Sequence, residues 1–178
     1  MITSKENFFY FLDEDRKSLG VSKRYPSLYG DEIWKFQCYL RLVEYLQGKS
    51  GIFFKVRLLW AKYRKRQLAF KLGYEISANT FGPGLSLMHR GPIIILDKVR
   101  IGANCRVHSC VNIGSTKGTG VGAKIGDNCY IGPGVQIVGP ITIADNITIG
   151  AGSVVVSSFN EPNVIIAGVP AHVVKRKA

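Results

Sequence analysis

In the stretch KIGDNCYIGPGVQIVGPITIADNITIGAGSVV, Lys124 to Val155, isoleucine stands at positions 125, 131, 137, 143 and 149, each six residues after the last. An α-helix repeats its faces every ~3.6 residues and a strand every 2, so neither asks for this interval. A short strand plus a corner does, with three such units closing one triangular turn of about eighteen residues. Each large aliphatic side chain then stacks on its equivalent one turn away. The register runs upstream through Phe81, Leu87, Ile95, Ile101, Val107 and Ile113, with two extra residues before Ile95, and downstream to Val155. Gly102, Gly114, Gly126, Gly132, Ala144 and Gly150 follow the large residue and are expected to permit the bend. Residues four places after it, among them Val99, Cys105, Cys129, Val135 and Ile147, are expected to fill the space beside it. The fold class is therefore mainly β, a parallel β-helix whose core is a set of aliphatic columns, each fully buried side chain contributing ~1.5–3 kcal/mol.

Upstream of residue 74 the periodicity is helical, which divides the chain into an N-terminal helical segment, 1–73, and a β-helix with a C-terminal tail, 74–178. DEIWKFQCYLRLVEYLQG places Ile33, Phe36, Leu40, Val43 and Leu46 near one helix face, with Gly48 as the stop. IFFKVRLLWAKYRKRQLAFKLG follows, with Ile52, Val56, Leu59, Tyr63 and Phe70 on one stripe and basic residues around it. A short helix is expected from about Asn7 to Ser18, then a loop over Ser22 to Gly30, where Pro26 and Gly30 interrupt the pattern.

Twenty-four Lys and Arg against twelve Asp and Glu give a formal charge of +12, which favours anionic partners. The excess is N-terminal: residues 49 to 71 contain eight basic side chains and no acid. No recognisable nucleic-acid module accompanies the charge, so no nucleic-acid partner is expected. There is no charged lead with an apolar run at Met1 and no window of ~18 uninterrupted apolar residues, so a cytoplasmic location is expected. Cys38, Cys105, Cys110 and Cys129 form no C-x-x-C pair and read as structural thiols, with no metal site.

The repeat array, together with LSLMHRG, VNIGS, AKIGDNCYIGPGVQIVG, IGAGSVV and AGVPAHVV, resembles the left-handed β-helix acyltransferases, closest to the serine acetyltransferases and their relatives from surface-polysaccharide gene clusters. The resemblance covers roughly residues 74 to 174. It implies a left-handed coil, a homotrimer, and acetyl-CoA as acyl donor in a groove between neighbouring β-helices. His89, in LMHRG, matches the segment that carries the family's catalytic histidine. His108 lies nineteen residues later. If Leu87 and Val107 are stacked neighbours, the two imidazoles sit on one face of consecutive turns, offset by one position, and neither is at a core position. Acetyl transfer to a hydroxyl needs a base, an oxyanion donor and a pocket for both reactants. An imidazole with a pKa near 6.5 suits the base. His89 is expected in that role, with His108 orienting the acceptor or assisting, and His172 structural.

For the CoA side, the resemblance points to Gly114, Ser115, Gly134, Ala151 and Gly152 beside the pantetheine arm. Lys124, Lys175 and Arg176 are candidates for the cofactor phosphates. GSTKGTGVGAK, Gly114 to Lys124, breaks the repeat and is expected to leave the coil as a loop; it does not fit the phosphate-binding pattern G-x-x-x-x-G-K-[ST]. Two positions depart from the serine enzymes: Met88 stands where they have an acid before the catalytic histidine, and Gly122 where they have a second histidine. Both changes point to a sugar hydroxyl in surface-polysaccharide synthesis as acceptor; the basic helix 52–72 then either makes peripheral membrane contact or, as the reading preferred for its charges, is a solvated face packing on its own trimer. The alternatives are serine O-acetylation in cysteine biosynthesis, a non-catalytic trimeric scaffold, and a trimeric metalloenzyme.

Overall fold

A computed structural model describes residues 2–115 and 120–177. Three helices, α1 (Lys5–Ser18), α2 (Glu32–Gln47) and α3 (Ile52–Leu72), precede fourteen short strands. The strands are β1 (Tyr74–Ile76), β2 (Ser86–Leu87), β3 (Ile93–Ile95), β4 (Arg100–Ile101), β5 (Arg106–Val107), β6 (Val111–Gly114) and β7 (Lys124–Ile125). They continue with β8 (Tyr130–Ile131), β9 (Gln136–Val138), β10 (Thr142–Ile143), β11 (Thr148–Ile149), β12 (Val154–Val155), β13 (Val164–Gly168) and β14 (Ala171–Arg176). They form three sheets: face A, β1-β3-β6-β9-β12; face B, β4-β7-β10; and face C, β2-β5-β8-β11-β13-β14. All pairs are parallel except β13 with β14, and the chain visits A, B and C in turn as a left-handed β-helix.

The register is the one the isoleucine spacing demands. On face A, Ile76, Ile95, Ile113, Ile137 and Val155 are Cα partners in succession. On face B, Phe81, Ile101, Ile125, Ile143 and Phe159 align, the two phenylalanines through single bridges. On face C, Leu87, Val107, Ile131, Ile149 and Ile166 do so. The residues four places on, Val99, Cys105, Val111, Cys129, Val135, Ile141, Ile147 and Ser153, are all buried between the columns. Burying them excludes water from the corners, as the spacing implied.

The small residues after the aliphatics have a different physical reason from the one expected. Gly82, Gly102 and Gly126 do not take positive φ; a Cβ on Gly102 would lie 2.8 Å from the Gly126 carbonyl carbon, so close approach of consecutive turns requires them. The left-handed conformations at the B-to-C corner belong instead to Asn104, Asn128, Asn146 and Asn163, with φ between 55° and 60°. Asparagine tolerates that region and bonds locally; here Asn104 also donates to Asn128 one turn away.

The first coil would expose an unpaired strand edge, and α1 and α2 cover it with polar side chains. Asp15 accepts from Leu85 N at 2.8 Å, Gln37 donates to Leu85 O and accepts from Leu87 N, and Arg41 donates to Phe81 O and Gly82 O. Arg41 is fully buried and paired with Asp15 and Glu44. Burial works against its charge, but the two carboxylates outweigh it and push the guanidinium pKa up. Apolar packing joins the segments too, since Phe36, Leu40 and Leu72 share the core of the coil.

Among the helices, α2 buries Phe36, Leu40, Val43 and Leu46 as its periodicity implies. The α3 stripe is oriented outward: Ile52, Val56, Leu59, Tyr63 and Phe70 are exposed, while Phe54, Leu58, Ala61, Leu68, Ala69 and Leu72 pack inward. Of the cysteines, Cys105 and Cys129 are buried and Cys38 partly so, but Cys110 is exposed at a corner with φ 61°, which corrects its reading as a core thiol. Within Gly114 to Lys124, residues 116–119 lie outside the described residues. No described helix is long and apolar enough to cross a membrane.

Ile131→Ala, in the middle of the face C column and fully buried, is expected to lower unfolding free energy by about 2–5 kcal/mol. Arg41→Met, which strands two buried carboxylates, should cost about 3–5 kcal/mol. Urea denaturation followed by circular dichroism measures both; a loss under 1 kcal/mol at either position contradicts the packing described.

Candidate active site

Face C meets face A at a corner that carries the residue following each face C strand. Backbone hydrogen bonds stack Met88 on Val107, His108 on Ile131, and Gly132 on Ile149, so Met88, His108, Gly132 and Gly150 descend the corner in order. His89 therefore overhangs Ser109, one position beyond His108. The imidazole centroids of His89 and His108 are 5.5 Å apart, and His108 lies 5.0 Å from the Tyr130 ring below it. His89 is exposed and His108 partly buried. The offset inferred from the sequence is thus the geometry of the corner.

His89 is held from behind. The Tyr74 hydroxyl donates to the His89 carbonyl oxygen at 2.8 Å, and burial pushes that phenol up to about 12, keeping it a donor. Arg90 bonds Glu32 of α2, whose other oxygen takes Lys71, both at 2.8 Å. The hydrogen bond from Lys71 leads the causes that lower Glu32 to about 2. The helical segment is thereby tied to the residue next to the histidine. Among the described residues no carboxylate hydrogen-bonds either imidazole, and Met88, which stands where an acid would, accepts from Ser86 Oγ at 3.3 Å.

Burial first, then the charge of His89 and of Arg106, lower the pKa of His108 below its ordinary 6.5. At neutral pH it is an uncharged imidazole, able to donate from one nitrogen and accept at the other.

The CoA candidates fall in three places. Gly134, Ala151 and Gly152 continue the corner below the histidines, with Gly152 N donating to Pro133 O and Gly134 N to Ser109 O. Gly134 and Gly152 have φ of 73° and 67°, so the turn itself needs glycine there. Gly114 and Ser115 lie at the opposite edge of face A, and Lys124 on face B between Arg100 and Thr142. Lys175 and Arg176 are on β14, where Glu161 engages Arg176. One chain therefore does not bring all these residues together. His172 pairs across from Ala167, its ring against Gly168, away from the two other histidines. Among the described residues no three His, Cys, Asp or Glu are disposed to hold a metal ion.

Tyr74, Tyr130 and Glu32 are site neighbours that spacing did not reveal. Tyr130 was accessible in principle, because it precedes the column residue Ile131 and must point outward on the turn below His108. Beside Met88 opens a cleft of about 310 Å³ lined by Val21, Asp31, Glu32, Trp34, Met88 and Arg90 among others. Its wall carries Arg90, next to His89 in the chain, and Asp31 and Glu32 at the start of α2.

The bacterial transferase hexapeptide model, a unit of six repeats, matches residues 122–157. A serine acetyltransferase of Staphylococcus xylosus is 33% identical over 126 residues, covering 68% of this chain and 57% of that protein. The chain thus spans little more than half the length of this curated relative. The crystal structure of Neisseria gonorrhoeae serine acetyltransferase superposes with a TM-score of 0.72 at 26% identity, covering 98% of this chain and 67% of the other. The same enzyme in complex with serine gives a TM-score of 0.71 at 26% identity, covering 97% and 71%. The chain is serine acetyltransferase-like in both sequence and fold.

Since the unfolded chain takes up the His108 proton near 6.5 and the folded chain only below it, acidification through that window favours unfolding. Imidazole NMR titration is expected to place the His108 midpoint below 6.5 and to move it upward in His89→Asn, which removes a neighbouring positive charge. A wild-type midpoint at or above 6.5 contradicts the geometry.

Proposed function

We propose, from this likeness and from the corner chemistry, that the chain is an acetyl-CoA-dependent O-acetyltransferase acting as a homotrimer, with L-serine as acceptor. The observation that carries the reading is His89, exposed, 5.5 Å from His108 and heading a corner of small residues, Gly134, Ala151 and Gly152. His89 takes the proton of the acceptor hydroxyl as its oxygen attacks the thioester carbonyl. A carbon–oxygen bond forms, the carbon–sulfur bond breaks, and the proton passes to the departing thiolate of CoA. His108, neutral, donates to the developing oxyanion or to the acceptor. No covalent enzyme intermediate is required.

Serine replaces the glycan expected from the sequence. The relatives are serine acetyltransferases and one is solved with serine. The cleft beside Met88 is polar; its Glu32 and Arg90 are already paired with each other and Glu32 with Lys71, which leaves Asp31 as the carboxylate it offers in place of the acid that position 88 lacks. A carboxylate there suits the ammonium group of an amino acid better than a neutral sugar ring. In the trimer that the likeness implies, Gly114, Ser115 and Lys124, remote from His89 within one chain, are read as presented across a groove by a neighbouring coil.

CoA release measured against L-serine and a panel of free, nucleotide-linked and lipid-linked sugars is expected to be fastest with L-serine. His89→Ala and His89→Asn, folded and trimeric, should lose about 10²–10⁴-fold in rate. Wild-type turnover in either variant would remove His89 from the mechanism, and turnover confined to a sugar would restore the glycan reading.

A further inference from the structure

The inward side of α3 is fully used in packing on α2 and the coil, yet its outward side is as apolar as its inward one. Ile52, Val56, Leu59, Tyr63 and Phe70, spaced 4, 3, 4 and 7, form a line along the helix, with Phe53 and Trp60 beside it; all seven are between 53% and 79% exposed. At 3.6 residues per turn, Lys55, Lys62 and Arg66 run along one flank of this line and Arg57, Arg64 and Lys71 along the other. The helix contains no acid. Lys71 pairs with Glu32; among the described residues the other five flanking cations have no carboxylate partner.

We propose that this face of α3 docks on an anionic lipid surface. The charge selects the occupant. A second copy seated stripe on stripe would set cations against cations along both flanks, and with twelve acids to twenty-four cations the chain has few carboxylates to set against them in any other orientation. A bilayer with anionic headgroups meets the flanks with opposite charge and takes the apolar line into the headgroup boundary, the arrangement of an interfacial amphipathic helix. Tyr63 sits on the stripe and Trp60 beside it, and both residue types favour that boundary. Arg57 and Arg66 lie over the Phe53 and Phe70 rings, at 5.5 and 5.3 Å, so the cations line the apolar strip closely. The helix lies flat on such a surface, because it is not apolar enough to cross one. The surface is remote in sequence from His89 and the inference is independent of which acceptor is acetylated.

The test is co-sedimentation of the full chain with phosphatidylcholine vesicles made with and without phosphatidylserine, at low and high salt, alongside emission of Trp60 in a Trp34→Phe background. The expected result is binding to the anionic vesicles only, weakened by salt, with a blue shift of Trp60. Leu59→Glu with Tyr63→Glu, and separately Lys55→Glu with Lys62→Glu, should each reduce partitioning about tenfold or more while leaving the melting curve unchanged. Equal binding to both vesicle types, no binding of the wild type, or a wild-type oligomer that Leu59→Glu with Tyr63→Glu splits into smaller units would each overturn the proposal; the last would assign the face to a second copy.

Discussion

The structure depends on vertical stacking. Leu87, Val107, Ile131, Ile149 and Ile166 are far apart along the chain, yet each is the Cα partner of the next, and two further columns repeat the arrangement. A slip of one residue in any strand would turn its aliphatic side chain outward and break the column at that turn. Close approach reinforces the register, because Gly82, Gly102 and Gly126 leave no room for a Cβ between turns. Asparagines two residues further on, at the same B-to-C corner, supply its left-handed residue and bond across turns. The ends are managed separately: Asp15, Gln37 and Arg41 satisfy the first edge, and β14 covers the last strand of face C in the antiparallel sense.

The site is a consequence of this stacking and not an addition to it. Whatever follows a face C strand lands on the corner with face A. His108 does so directly; His89 is one residue further on and overhangs the next turn. That offset separates their environments, leaving one imidazole open to solvent and the other partly shielded, with its pKa lowered. The helices also act on the corner. Tyr74, just after α3, holds the His89 carbonyl, and Glu32 at the start of α2 holds Arg90, so the helical segment sets the backbone that carries His89.

The columns were legible because isoleucine repeats without interruption from 125 to 149, and from them followed the pairing of turns and the offset of the two histidines. The reason for the glycines was not legible, since a glycine needed for close approach and one needed for positive φ look alike in sequence; Gly102 is the first kind and Gly134 the second. The α3 stripe was visible as a stripe, but periodicity cannot say which of two apolar faces packs, and the chain packs the side with Phe54, Leu58 and Ala61. The site was legible only in part. His89 and His108 came from register and family pattern, whereas Tyr74, Glu32 and Asp31 reach the corner through tertiary packing that leaves no local signal. The CoA candidates share a chemistry of small and basic residues, but Gly114 and Lys124 occupy other edges of the triangle than Gly134 and Ala151.

Taken together, the columns place an exposed imidazole at the head of a corner whose lower turns are small enough for an extended arm to lie along them. A crystal structure with CoA bound tests this most directly. The account predicts an arm running along the corner past Gly134 and Ala151, its sulfur at the imidazole of His89 with room for a hydroxyl between them. A thiol bound elsewhere, or His89 covered by a neighbouring coil, would contradict it.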